Sequence, residues 1–595
     1  MVAFRLGRCR PLAILLLLLL ALGQSTMLRA QERPNIVLIL ADDLGFTDLA
    51  SYGSEINTPS ISALAQQGLS FTNYHTGANC APSRAMLLTG VDSHRSGVPN
   101  IPEMIPPEQS QYSHYSGTLG HNVVTVATLL QDAGYHTYMA GKWHLGQTSD
   151  QLPSVRGFER TVALGDSGAD NWEQKPYLPI YKKANWYADG EEYQLPEDFY
   201  SSRFLVDKTI EFINSNQGDG QPFFAYVPFQ AVHIPVQAPQ EYIDRYMGVY
   251  DDGWTALRTE RLARAIALGI VPADTAMVTM ASTADWDALS ADEKAYEAKR
   301  MAVYGAMVEA MDHHIGRLVK HLKAIGEYDN TVFIFSSDNG AEAMGEPVQN
   351  SWSNSRSLAS QGYSVDYETL GLKGSFNAIN PGFSSAAASP LAYYKFYLGE
   401  GGMRVPMIIS GAGIEVKNQL SNAFAFVTDI TPTILALTDV EPAPARYGGR
   451  SIEPIVGRSL LPLVKGSAET VYADEDAVGH ELVGHGALFM GDYKIVFNRD
   501  TWGDNQWRLF NIVADPGETK DLSAENPAQL QLMLGRYQQY LAENNVLPMP
   551  AGYSFVTQIM YNALHNVFRD NILIGILMFF FFLPFVLVYR SKSKD

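Results

Sequence analysis

Residues 35–43 read NIVLILADD, a short aliphatic and β-branched run that stops at two carboxylates. An apolar run of this length, without polar alternation, is the pattern of a strand buried on both faces. Residues 331–340, TVFIFSSDNG, repeat the pattern and end in Asp338, Asn339 and Gly340. Helical periodicity lies between such runs, for instance over 125–132 and 204–214. The alternation predicts an α/β fold with a large mixed, mainly parallel sheet flanked by helices. In open α/β sheets functional groups gather outside the carboxyl ends of the strands. Asp42, Asp43, Asp338 and Asn339 are therefore expected to meet at one edge. Carboxylates so placed cannot all stay ionised without a cation. Oxygen donors without imidazole or thiolate favour a hard ion, calcium ahead of magnesium, over zinc. Taken singly, Asp-Asp-x-Gly and Asp-Asn-Gly are also ordinary turn sequences after strands.

The 595-residue chain has a formal net charge of −20, and an acidic protein of this kind is not expected to take nucleic acid as a partner. Arg5, Arg8 and Arg10 precede a leucine-rich stretch over 12–22, which predicts a signal peptide over 1–30. Residues 572–589, ILIGILMFFFFLPFVLVY, are long and apolar enough for a transmembrane helix, and Arg590, Lys592 and Lys594 make 590–595 a basic cytoplasmic tail. Together these predict an exported protein on the periplasmic or extracytoplasmic face, anchored in the inner or plasma membrane. Of two cysteines, Cys9 lies in the leader, so Cys80 would remain without a disulfide partner. A lone buried cysteine ordinarily packs as a small hydrophobe.

Cys80 opens the stretch Cys80-Ala-Pro-Ser-Arg84, which continues to Leu87-Leu88-Thr89-Gly90. This resembles the signature of the sulfatase family. Asp42-Asp43 resembles the family's first metal pair, and Asp338-Asn339 its second. Gly141-Lys142-Trp143-His144 resembles its Gly-Lys-x-His element, Val232-His233-Ile-Pro235 its His-x-Pro element, and Lys395, five residues before Glu400-Gly401-Gly402, its last catalytic lysine. The similarity runs from about 34 to about 553. The stretch 254–264 with Leu268-Gly269 and Trp286, and the stretch 507–518, look more narrowly like bacterial arylsulfatases. An Ala/Ser-rich segment, 384–389, interrupts the pattern ahead of Lys395.

The resemblance implies that Cys80 is oxidised to formylglycine (3-oxoalanine) by a formylglycine-generating enzyme. The hydrated aldehyde attacks sulfur with one oxygen, and the other drives release of sulfate, which a plain serine could not achieve. It implies a metal site of Asp42, Asp43, residue 80, Asp338 and Asn339, occupied by calcium. Arg84 and Lys142 would hold the diol, Lys142, His233 and Lys395 would bind the sulfate ester, and His144 would take the diol proton. Each residue has an ordinary reading as well: Lys142 or Arg84 alone is a solvated charge, and His233 before Ile-Pro is a turn residue.

The implied architecture is alkaline-phosphatase-like: a catalytic α/β domain over 31–466 and a smaller α+β domain over 467–547. In the latter, 486–498 reads as two strands turning at Gly491-Asp492, and 526–544 as a helix. Residues 548–571 would link it to the anchor. His313-His314 lies in a helical stretch, 311–322, and reads as surface. The Trp and Tyr residues between 171 and 193 fit a substrate pocket or a packed loop equally. Aryl sulfate hydrolysis is the leading expectation. The alternatives are a phosphonate or phosphate ester hydrolase of the same superfamily, and an unconverted, inactive sulfate-ester binder.

Overall fold

Strand β1 (Asn35–Ala41) is buried along its whole length and lies inside a ten-stranded sheet. The computed structural model describes residues 33–177, 181–344, 358–499, 503–554, 557–559 and 561–562. In chain order the sheet continues with β2 (Gly68–Phe71), β3 (His136–Lys142), β4 (Arg160–Leu164), β5 (Trp186–Ala188) and β6 (Glu191–Glu192). It is completed by β7 (Phe223–Pro228), β8 (Thr331–Ser337), β9 (Met407–Gly411) and β10 (Gln419–Ser421). The spatial order is β10-β2-β9-β8-β1-β7-β3-β4-β5-β6. The central block from β8 to β4 is parallel, with Ile39 opposite Phe335 on one side and Val227 on the other. β9 runs antiparallel to both β8 and β2, so the sheet is mixed.

The unbroken apolar runs are explained by burial on both faces. Val37 and Ile39 face one hydrophobic cluster and Ile36, Leu38 and Leu40 the other, all essentially solvent-free. Each such side chain contributes about 2 kcal/mol on leaving water. The helices that cover the faces begin with α1 (Cys80–Thr89), α2 (Ser201–Ser215) and α3 (Gly253–Ala267). The 35-residue α4 (Ala291–Ile325) extends well beyond the stretch expected to be helical. It starts at a reciprocal cap between Ser290 and Glu293 and stops at Gly326, whose φ of 82° suits a residue without Cβ. Within it His313 is exposed, but His314 is buried and its Nδ1 meets Arg317, so the reading of that pair as surface fails for His314. Successive residues face different directions on a helix, and here one of those directions is the core.

The Ala/Ser-rich segment forms α5 (Pro381–Ala387), buried beside α3. Its small side chains are a packing requirement. A Cβ on Gly45 would stand 2.5 Å from the Ala387 carbonyl oxygen, and one on Gly382 would stand 2.4 Å from the Trp254 ring.

The smaller C-terminal part is an antiparallel meander of β11 (Ala477–Leu482), β12 (His485–Met490), β13 (Tyr493–Phe497) and β14 (Trp507–Asn511). Alternation gives it two apolar faces. Leu488, Ile495 and Leu509 pack on Met533 and Tyr537 of α6 (Pro527–Glu543), whereas Ala487, Phe489, Val496 and Phe510 join the main core. The fold is therefore the expected large mixed sheet with a smaller C-terminal sheet and helix.

The location expected for the protein requires correction. Among the described residues no helix is long and apolar enough to cross a membrane, so the membrane-anchored placement is withdrawn. The leader over 1–30 and the apolar stretch over 572–589 lie outside the described residues.

Candidate active site

The carboxyl ends of β1, β3 and β8 deliver acids and cations to one edge. β1 runs directly into Asp42 and Asp43, and β8 into Asp338 and Asn339. One oxygen from each of Asp42, Asp43 and Asp338 lies within 4.8 Å of the others, and all three side chains are buried. Asp43 adopts a φ of 62°, and His144 one of 57°. Non-glycine residues held in the left-handed region mark positions that the surrounding structure constrains.

Cations interleave with the acids. Lys142, the last residue of β3, donates to both Asp42 oxygens at 2.9 and 2.7 Å. Gly141 precedes it because a Cβ there would lie 1.8 Å from the Pro228 carbonyl oxygen of β7. Arg84, one turn into α1, donates Nε to Asp338 Oδ2 at 2.9 Å and Nη1 to the Lys142 carbonyl at 2.8 Å. Lys395 donates to Asp43 Oδ2 at 2.9 Å and pairs with Glu342 at 2.9 Å. Burial alone would depress the Lys395 ammonium, but Asp43, Cys80 and Glu342 outweigh it and hold it well above the usual lysine range. Burial raises the Asp42 carboxyl well above its ordinary value, against the pull of Lys142.

Cys80 is the first residue of α1, with its amide capped by Asn79 Oδ1 at 2.7 Å. The side chain is 2% exposed, and burial pushes its thiol up to about 11 despite the nearby charges of Lys142 and Lys395. Its sulfur lies within 4.8 Å of an Asp42 oxygen and a His233 ring nitrogen. His233 donates Nδ1–H to the Ile234 carbonyl at 2.7 Å, and its Nε2 stands 3.6 Å from Asp43. The ring of Tyr177 meets it edge-on with centroids 5.4 Å apart. Both nitrogens of His144 are buried and have no hydrogen-bond partner among the described residues. Burial, then the charges of Lys142 and Arg84, keep His144 well below the usual histidine range. Burial and Lys395 do the same to His233.

All ten residues singled out in the sequence stand at or beside this edge. Glu342 was missed. It follows Asp338 by four residues on the same loop, a spacing that was a usable signal, and with Asp43 and His233 it forms a further cluster of ligand atoms within 4.8 Å. Asn79 also escaped, since it carries neither charge nor motif, whereas Tyr177 belongs to the aromatic residues of 171–193 that the sequence left open between pocket and packed loop.

The donor set fits a hard divalent cation. Three carboxylates converge, and Asn339 Oδ1 is a buried acceptor without a partner among the described residues. Carboxylate and amide oxygens are hard donors that suit calcium or magnesium better than zinc, although the Cys80 sulfur and a His233 nitrogen lie within 4.8 Å of an Asp42 oxygen.

The sulfatase family profile matches residues 34–440. An uncharacterized sulfatase of Schizosaccharomyces pombe is 36% identical over 534 residues, covering 87% of this chain and 95% of the relative. An arylsulfatase of Klebsiella aerogenes is 35% identical over 436 residues, covering 72% and 92%. The crystal structure of Ps i-CgsB with k-i-k-neocarrahexaose shares the fold, with a TM-score of 0.62 at 23% identity over 90% of this chain and all of that one, 100%. The chain belongs to the sulfatase family. It is thereby a sulfuric ester hydrolase, in a family that generally works through formylglycine and a divalent cation.

Proposed function

We propose that the protein hydrolyses sulfate esters, aryl sulfates among them, through a formylglycine made from Cys80 by a formylglycine-generating enzyme. A divalent cation, calcium before magnesium, would be held by Asp42, Asp43, residue 80, Asp338 and Asn339. What supports this most is the thiol at the start of α1, within 4.8 Å of an Asp42 oxygen and under the charges of Lys142 and Lys395. The aryl reading rests on the likeness to the Klebsiella aerogenes arylsulfatase.

The charge balance agrees with an anionic substrate. Among the described residues, Asp42, Asp43, Asp338 and Glu342 are matched by Arg84, Lys142 and Lys395. A dication tips that balance to positive. When both groups are in place, the hydrated aldehyde supplies the attacking oxygen, and the cation supplies polarisation of the sulfate oxygens.

The chain's own side chains do the rest. Lys142 and Lys395 donate to sulfate oxygens while remaining paired with Asp42 and Asp43. Arg84 fixes Asp338 and the end of β3, so the acids keep their spacing. His233 has Nδ1 occupied, so Nε2 is the nitrogen that exchanges a proton at the leaving ester oxygen, next to Lys395. His144, neutral and with both ring nitrogens unengaged, accepts the proton whose loss releases sulfate.

The test joins mass measurement of the peptide bearing residue 80 to assays on paired aryl sulfate and aryl phosphate diester substrates. The expected result is an aldehyde at position 80 and stoichiometric sulfate release. A thiol at position 80 with no turnover leaves only a binder. A strong preference for the phosphate diester overturns the choice of ester.

A further inference from the structure

Glu103 sits in the single turn Pro102–Met104 and has no role in the chemistry above. Its Oε1 accepts from the Tyr181 hydroxyl. Its Oε2 is buried and lacks any hydrogen-bond partner among the described residues. A buried carboxylate oxygen left in that state costs free energy until a donor reaches it.

The surroundings of Glu103 belong to the reaction site. The hydroxyls of Tyr181 and Tyr177 share the Ser167 hydroxyl at 3.0 and 2.7 Å, and Tyr177 stands edge-on to His233. On the same wall, a Cβ on Gly168 would lie 2.7 Å from His233 Nδ1, so this segment is pressed against the imidazole. From the other side, Met104 Sδ is 4.0 Å from Asn79 Nδ2, and Asn79 caps Cys80. Lys142 is near enough for its charge to act on Glu103, whose carboxyl burial nonetheless raises above its ordinary value. Glu103 is in turn felt by Asp166.

The site is thus asymmetric. The groups around Cys80 that face a sulfate are cations, whereas the adjoining wall offers an acid that forms no ion pair among the described residues. Such a wall repels a second anion and attracts a donor.

We propose that Glu103, braced by Tyr181, is a specificity-determining residue selecting sulfate esters whose alcohol or phenol portion carries a hydrogen-bond donor, hydroxyl or ammonium, beside the ester. The proposal rests on the sulfatase reading of the same site and deepens it. A site built to accept such a donor discriminates against an analogue lacking it more strongly than an apolar pocket discriminates by size.

The experiment compares kcat/KM for 2-hydroxyphenyl sulfate, its methyl ether, the 2-aminomethyl analogue and the 2-carboxy analogue, using protein converted at residue 80. Wild type is expected to favour the hydroxyl or ammonium ester over the ether at least tenfold, mainly through KM, and to use the carboxylate poorly. A preference for ammonium alone identifies the donor as a cation, and equal preference as any N–H or O–H. Glu103→Leu should bring the hydroxyl-to-ether ratio close to one. Glu103→Gln should abolish the ammonium preference, and Tyr181→Phe should weaken both. If Glu103→Leu fails to fold, the other two variants decide. A wild-type preference for the ether, or ratios unchanged in the folded variants, overturns the proposal. If converted wild type cleaves none of the four esters, the aryl sulfate reading itself fails, and this inference falls with it.

Discussion

The Lys142 ammonium lies 2.9 and 2.7 Å from the two oxygens of Asp42, with both side chains fully buried. Lys142→Ala leaves that carboxylate with only the more distant Arg84 guanidinium, 3.6 Å away, and removes a proposed sulfate donor at once. Losing one partner of a buried pair costs about 3–5 kcal/mol. The expected result is a fall in kcat/KM of roughly a hundredfold or more, together with a lower melting temperature, read by steady-state kinetics and calorimetry on the same preparation. Normal kinetics in Lys142→Ala would remove this lysine from the chemistry.

His144→Ala deletes the unengaged proton acceptor while leaving the cations around Asp42 and Asp43 in place. With an aryl sulfate, rapid mixing should show one equivalent of phenol per enzyme released quickly, then a stall. Smooth turnover without that burst argues for another base.

Chelation should lower both activity and melting temperature, because an ion that binds only the folded state stabilises it by mass action. Calcium is expected to restore both more completely than magnesium, since Asp42, Asp43, Asp338 and Asn339 offer an irregular oxygen set that the larger ion tolerates better. Full recovery with magnesium alone would reverse the choice of metal.

His94 predicts a pH dependence far from the chemistry. It is buried between Asp92 and Glu481, with nitrogen to oxygen distances of 3.3 and 2.8 Å, while Tyr540 donates to Asp92 and His480 adds an opposing charge when protonated. Burial disfavours its cation, yet the two carboxylates win and lift His94 to about 9. A raised folded value stabilises fully below the unfolded value near 6.5, and the gain is lost as pH climbs through about 9. The amount is at most roughly 3 kcal/mol. Melting temperature should therefore decline between pH 7 and 10 in wild type and decline less in His94→Gln.

Arg261 is fully buried, reaching Asp48 at 2.6 Å and both oxygens of Glu55 at 2.9 and 2.8 Å. Asp48 in turn accepts from Tyr304 at 2.6 Å and from the Gly45 amide at 2.7 Å, two residues beyond Asp43. Arg261→Met strips Asp48 of its cation and leaves Glu55 to Arg264 and Tyr250, and should cost about 3–5 kcal/mol. Tyr304→Phe, which keeps the charges paired, should cost closer to 1 kcal/mol. Chemical denaturation of both variants measures the difference.

Much of this was readable in the residues because the relevant signals are local. Continuous apolar runs ending in acids located β1 and β8, and spacing alone marked α6. The antiparallel insertion of β9 between β2 and β8 was not readable, because strand direction depends on pairing between segments far apart in the chain, Met407 with Ser336 on one side and with Phe71 on the other. The Ala/Ser-rich segment looked like an interruption. Its meaning lies in the contacts of Gly45 and Trp254 with α5, which exist only after folding. Glu103 and Asn79 carry no distinctive pattern, so only their neighbours reveal them.

Cys80 is 2% exposed and wedged under the end of β1, and no macromolecular catalyst can grip a side chain so enclosed. On the proposed conversion of Cys80, its oxidation would have to precede closure of the sheet edge around it, which would turn biosynthesis into a race between oxidation and compaction. Chains that collapse first would then be committed to a silent form, and slowing their collapse should raise the fraction that becomes competent.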